Sequence, residues 1–221
     1  MYSWQRAKVV QVDEGAFNMK SIFVRPEVVS MHQAGQHYEL CLPDKNIIRK
    51  YSIVSPVGEK DGIEFGVELI EGGQLSPQLW NLKEGDEVEI RGPLGQAFVL
   101  PAEHSGPLLL IGAGSGITPL LSMYYSYKKS NPYGKVVFIM SAKDASRVLH
   151  YRALRNLLVT RFTNEDPRID RAFLKEKIGD LADDPDTLCY ICGSGDFTDD
   201  MMTIVRDLGV DKSRVFADRF I

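Results

Sequence analysis

Leu108-Leu109-Leu110-Ile111-Gly112-Ala113-Gly114-Ser115-Gly116-Ile117-Thr118-Pro119 carries the decisive signal of this chain. Four apolar residues make a strand, alternate glycines make a turn, and Leu120, Met123, Tyr124 and Tyr127 then fall on one face of a helix. A glycine turn between a strand and a helix lets backbone amides approach a pyrophosphate, and the helix start adds the positive end of its dipole. The spacing departs from G-x-G-x-x-G, because Ile117 stands where the third glycine belongs. Ser141-Ala142-Lys143 also stands where a dinucleotide-binding dehydrogenase fingerprint would carry an acid after the next strand. Taken alone, the turn leaves open a second reading, a tight strand-to-helix connection.

Outward from this turn the chain keeps two rhythms. Leu108 to Ile111, Val136 to Met140 and Leu188 to Ile191 are apolar strands separated by helix-length segments, one of which aligns Phe197, Met201, Ile204, Val205 and Leu208 on a face. That alternation predicts a parallel sheet with crossover helices. Towards the N-terminus the period is two, as in Tyr38, Leu40, Leu42 and in Val88, Ile90, between turn signals at Asp13 to Gly15, Asp61-Gly62, Gly72-Gly73 and Gly85-Asp86. Short alternating strands at that spacing predict a small antiparallel β-barrel. The expected fold class is therefore a β-barrel domain over residues 1–102 followed by an α/β domain over residues 103–221, with no internal repeat.

Composition narrows the partners. With 44% hydrophobic and 25% charged residues and a formal charge of -4, the chain has no electrostatic footprint for nucleic acid. Lys8, Asp13 and Glu14 interrupt any secretory apolar run, and the stretch from Pro107 to Leu121 is too short and too broken for a membrane span, so a cytoplasmic protein is expected. Three cysteines give neither a disulfide framework nor a metal site. Cys189 and Cys192 spell C-x-x-C inside an apolar strand, where they should not form a redox pair.

Arg49-Lys50-Tyr51-Ser52 adds the specific signal. It is followed in order by Gly72-Gly73-Gln74-Leu75-Ser76, by Gly92-Pro93-Leu94-Gly95-Gln96-Ala97-Phe98, by the glycine turn, by Cys192-Gly193-Ser194-Gly195 and by an aromatic near the C-terminus. From about residue 5 to its end the chain thereby resembles the ferredoxin-NADP reductase family of flavoenzymes. The resemblance implies FAD in the barrel, with Arg49 on its phosphate, Tyr51 against the isoalloxazine and Ser52 at N5. Gly73 and Ser76, the latter read as a helix cap before Pro77, would face the flavin pyrophosphate. Gly92-Pro93-Leu94-Gly95 would be a turn beside the flavin.

In the second half the resemblance implies NADP(H) on Gly112, Gly114, Gly116, Thr118 and Gly193. Cys192 would lie beside the reactive nicotinamide carbon as a positioning residue. Lys143, Arg161 and Arg168 would hold the 2'-phosphate, although each could also be an ordinary solvated charge. Asp218 would be the active-site acid, where the family more often has glutamate, with Phe220 covering the nicotinamide pocket or packing on the sheet. The implied activity is hydride exchange between NADP(H) and FAD, with electrons passed to ferredoxin, flavodoxin or another carrier. Reduction of free flavin, service to an oxygenase, or a flavin-binding redox sensor remain as alternatives.

Overall fold

The computed structural model describes residues 2–43, 46–60 and 62–220. The turn signal at Asp61 lies outside the described residues. Among them the chain forms one antiparallel and one parallel sheet.

The antiparallel sheet contains β1 (Gln5–Ala16), β2 (Met19–Pro26), β3 (His37–Cys41), β4 (Arg49–Ser52), β5 (Ile63–Glu68) and β6 (Glu87–Leu94), with a short helix, α1 (Ser76–Trp80), before its last strand. Strand order is β4-β3-β6-β1-β2-β5. The two edges then meet, because Ile53, just past β4, bridges to Phe65 of β5 and the Val54 amide donates to the Glu64 carbonyl. Closure removes the exposed strand edges and makes the sheet a barrel. Its interior is the alternating set expected from period two: Tyr38, Leu40, Val88 and Ile90 are buried with Val9, Val24 and Phe65. Burying each such side chain contributes roughly 1.5–3 kcal/mol.

Two expected turns are strand instead. β1 runs through Asp13 to Gly15, its register shifting between Asp13 and Ala16, so a bulge absorbs these residues and the reversal falls at Phe17-Asn18. Gly92-Pro93-Leu94 ends β6 and the chain bends only afterwards. There the Gln36 side-chain amide donates to the Gly95 carbonyl and ties this corner to the start of β3.

The parallel sheet has β7 (Leu108–Ala113), β8 (Val136–Ala142), β9 (Leu158–Phe162), β10 (Leu188–Ser194) and β11 (Val215–Phe220) in the order β11-β10-β7-β8-β9. Helices α2 (Ile117–Ser130), α3 (Tyr151–Leu154), α4 (Arg171–Ile178) and α5 (Gly195–Asp207) connect them. One sheet face packs Leu108, Leu110, Phe138 and Cys192 against α2 and against the barrel residues Met19, Val54 and Phe98. The other packs Leu109, Ile111, Ile139 and Cys189 against α4 and α5. Cys189 and Cys192 thus lie on opposite faces, and all three cysteines are free and buried. No helix among the described residues is long and apolar enough to cross a membrane.

The order of this sheet locates a crevice. The chain steps from β7 outward to β8 and β9, then returns to place β10 on the other side of β7. Connections after β7 and β10 therefore leave in opposite directions, and the gap between their carboxyl ends is where open α/β sheets receive ligands.

Candidate functional site

The glycines after β7 have three different jobs at that crevice. A side chain on Gly112 would strike Met140 and Leu120, so this glycine serves packing of strand against helix. Gly114 is exposed, has φ +54° and has open space where a side chain would project. On Gly116 a Cβ would stand 2.2 Å from the Cys192 carbonyl oxygen, so only glycine lets the turn seat against the end of β10. Thr118 is buried, and its hydroxyl donates to the Ser115 carbonyl at 2.9 Å. It braces the turn from within. α2 starts with no side-chain cap, which leaves its positive end to a ligand.

Across the crevice, Cys192 pairs in register with Gly112 on one side and Asp218 on the other, and Ser194 pairs with Phe220. The C-terminal tail is thus a strand, and this pairing sets the acid beside the thiol. Phe220 is half-buried against the same core face as Cys192. Gly193 lies against the Phe197 ring. Burial pushes the Cys192 thiol well above its usual range, with the Asp218 charge adding to the effect. A thiol so held stays neutral and is no nucleophile.

Asp218 faces the barrel. Its carboxyl is raised by burial, against the opposing pull of His37, the Arg219 amide and Lys50. His37 is lowered by burial and then by Lys50, against the pull of Asp218 and Glu39. His37 is the cross-strand partner of Ser52. Ser52 and His37 from the barrel, and Asp218 and Cys192 from the parallel sheet, therefore converge on one junction. Sequence reasoning missed His37 and Lys50: a histidine opening a strand carries no signal until the β3–β4 register sets it opposite Ser52.

Further along β4, burial pushes the Tyr51 hydroxyl up to about 12, outweighing nearby Arg49. Arg49 is exposed, and its guanidinium donates to the Ile48 carbonyl at 2.8 Å and to Gln74 Oε1 at 3.2 Å. The residue expected on a phosphate thus stands over the Gly72–Gln74 loop. Gly72, with φ +73°, faces open space. The expected helix cap at Ser76 is corrected. The Gly73 amide donates to the Ile70 carbonyl, and Ser76 Oγ accepts from the Ile70 amide at 3.1 Å. Ser76 is the first residue of α1 and Leu75 its cap, without a side-chain cap bond. Gly73 and Ser76 shape the loop through their bonds to Ile70.

At the outer end of the crevice Lys143 and Arg168 are exposed. Arg161 behaves differently: Asp166 lies 3.5 Å from its Nη1, and its guanidinium rests over the Phe173 ring at 4.1 Å. No group of three His, Cys, Asp or Glu side chains able to hold a metal ion occurs among the described residues.

Comparison with known proteins agrees with this geometry. Residues 24–98 match the family model described as an oxidoreductase FAD-binding domain. The flavodoxin/ferredoxin--NADP reductase of Buchnera aphidicola is 30% identical over 71% of this chain and 64% of its own length. The ferredoxin--NAD(P)(+) reductase component of the naphthalene 1,2-dioxygenase system of Pseudomonas putida is 24% identical over 97% of this chain and 68% of that protein. The chain spans 57% of the length of the flavohemoprotein of Bacillus subtilis, to which it is 30% identical over 93% of its own residues. The FAD/NAD-binding domain of nitric oxide dioxygenase from Vibrio cholerae has the same fold, with a TM-score of 0.82 at 24% identity and 98% of each chain covered.

Proposed function

We propose that this chain, a ferredoxin-NADP reductase-like flavoenzyme, transfers hydride between NADP(H) and FAD and passes electrons onward to a one-electron carrier such as ferredoxin or flavodoxin. The observation that carries the reading is the junction of Ser52 and His37 with Cys192 and Asp218, contributed by two sheets that are each flanked by a glycine facing open space, Gly72 and Gly114. In this reading residues 1–102 form the FAD-binding unit and residues 103–221 the NADP(H)-binding unit.

A flavin accepts a hydride and releases electrons singly, which is the chemistry the bound group would supply. The chain would supply position and charge. Arg49 offers a planar donor fork to a phosphate, and open Gly72 admits close approach. Tyr51 gives an apolar face and Ser52 a hydroxyl for a ring nitrogen. Gly114 and the start of α2 would receive the dinucleotide pyrophosphate, with Gly116 fixing their distance from Cys192. The neutral thiol of Cys192 would shape the nicotinamide site without competing for the reaction. Asp218, its carboxyl raised by burial, would hold a proton closer to neutrality than an exposed aspartate does and exchange it with the His37 imidazole.

Lys143 and Arg168 support NADP(H) over NAD(H), since both are open to a 2'-phosphate, whereas Arg161 would first have to leave Asp166. Service to an oxygenase is the second reading, favoured by the similarity to the dioxygenase reductase component. The free cysteines suit a reducing cytoplasm. Purification, a visible spectrum and identification of the extracted chromophore test the proposal: FAD is the expected chromophore. A colourless protein that also fails to bind added flavin would overturn it.

A further inference from the structure

A second junction between the barrel and the parallel sheet is built from groups that the proposed reaction does not use. Glu64 on β5 is buried, and its Oε1 accepts from Ser21 Oγ and lies 2.9 Å from His150 Nε2. The other ring nitrogen, Nδ1, lies 3.0 Å from the Tyr125 hydroxyl on α2. With Nε2–H donating to Glu64 and the Tyr125 hydroxyl donating to Nδ1, both ring nitrogens are satisfied by a neutral imidazole. A single side chain thus ties a barrel strand to the helix that follows the glycine turn.

The backbone at His150 is as unusual as its bonding. Among the described residues it is the non-glycine residue with positive φ, at φ 58° and ψ 17°. Its carbonyl accepts from the Ala153 and Leu154 amides and opens α3, while its side chain reaches back to the barrel. A left-handed residue at that point makes both directions possible, and such residues persist where the surroundings over-determine them.

Neighbouring contacts belong to the same seam. The Phe17 amide donates to the Ser146 carbonyl at 2.7 Å, and Arg147 lies over the Phe17 ring at 4.5 Å. Two residues beyond Glu64, on the same strand face, a Cβ on Gly66 would stand 2.5 Å from Thr118 Cγ2 and 3.1 Å from Leu149 Cδ2. The glycine turn therefore touches β5 beside the place where His150 holds it.

We propose that His150 is a positioning residue: its bridge from Glu64 to Tyr125 fixes the glycine turn and the segment 143–150 against the barrel, so that the dinucleotide meets the flavin at the hydride-transfer distance. The inference rests on the reading of the chain as a flavin and dinucleotide reductase. It assigns the latch to geometry, so an uncharged acceptor at Glu64 does as well as the carboxylate.

Two measurements on the full chain test it. In anaerobic single-turnover reduction by NADPH, His150→Asn keeps a residue suited to the left-handed backbone but is too short to reach Glu64. Its expected flavin reduction is on the order of tenfold slower at saturating dinucleotide, with flavin content and dinucleotide affinity near those of the parent. Glu64→Gln keeps the acceptor oxygen and is expected to retain the parental rate. Tyr125→Phe, which removes one hydroxyl, should slow the step about twofold to fivefold.

Amide hydrogen exchange, which needs no bound flavin, should rise at residues 112–118 and 143–150 together in His150→Asn and remain unchanged in Glu64→Gln. Parental exchange at the turn in both His150→Asn and Tyr125→Phe would overturn the inference even if the flavin assignment holds. So would a parental reduction rate per bound flavin in both variants, or in Tyr125→Phe alone if His150→Asn does not fold. A colourless chain that also fails to bind added flavin, yet shows the expected exchange pattern, would overturn the reductase reading and leave the latch standing.

Discussion

The crevice of the parallel sheet has an inner end and an outer edge that are built on opposite terms. At the inner end, Cys192, Asp218 and His37 are buried or half-buried, and burial is the first cause of each shifted ionisation. At the outer edge Lys143 and Arg168 stand in water, and Arg161 is occupied by Asp166 and Phe173. Buried groups act strongly on one another because little solvent screens them, whereas exposed charges are screened within about 10 Å at ordinary salt. The inner end should therefore govern how fast the reaction runs, and the outer edge should govern which dinucleotide is chosen, by smaller amounts.

Closing the inner end sterically is expected to give the largest effect. Gly116→Val would drive its Cβ into the Cys192 carbonyl, 2.2 Å away, and displace the turn from β10. Reduction by NADPH should fall on the order of a hundredfold while flavin content is retained. Unaltered kinetics would mean that the turn does not position the dinucleotide. Asp218→Asn should come next, slowing flavin reduction about tenfold or more with little change in dinucleotide affinity, as single-turnover kinetics would reveal. A change confined to KM would move Asp218 from the reaction to binding.

These inner residues also mark how far the sequence could be read. Period two in Tyr38, Leu40, Val88 and Ile90 and the strand–turn–helix at Leu108 to Pro119 announced both sheets because each pattern is local. β9 and β11 carry no clear strand signal, since Leu158 to Phe162 and Val215 to Phe220 contain charges and most of their own residues are only half-buried. The bulge at Asp13 to Gly15 imitates a turn because its composition is that of one. Ser76 before Pro77 imitates a cap, and only the fold brings the Ile70 amide to its hydroxyl. His37, Glu64 and His150 gain meaning from strand register and from contact between the two sheets. Neither is written in local sequence.

At the outer edge, Lys143→Ala and Arg168→Ala should each raise the KM for NADPH by about fivefold, the size expected of an exposed ion pair, and leave NADH unchanged. Equal effects on both dinucleotides would remove these residues from the 2'-phosphate. The smallest effect should come from His32, a buried histidine outside the crevice. Burial lowers His32 from 6.5 despite its 3.3 Å contact with the Ser55 carbonyl. A lowered folded value stabilises the fold above the unfolded value of 6.5 and loses that contribution as pH falls through the folded value. Acidification from neutrality should thus lower Tm, and His32→Gln should reduce that loss by about 2–4 °C in scanning calorimetry. An identical pH slope in the variant would show that another group controls it.

A nicotinamide dinucleotide that delivers hydride to a flavin held at the junction of Ser52, His37, Cys192 and Asp218 must bleach that flavin in the absence of oxygen. Anaerobic titration of the purified protein with NADPH and NADH, followed through the visible absorbance of the bound flavin, is the test. Stoichiometric bleaching by NADPH, faster than by NADH, is the expected result. Bound flavin that neither dinucleotide reduces would contradict it.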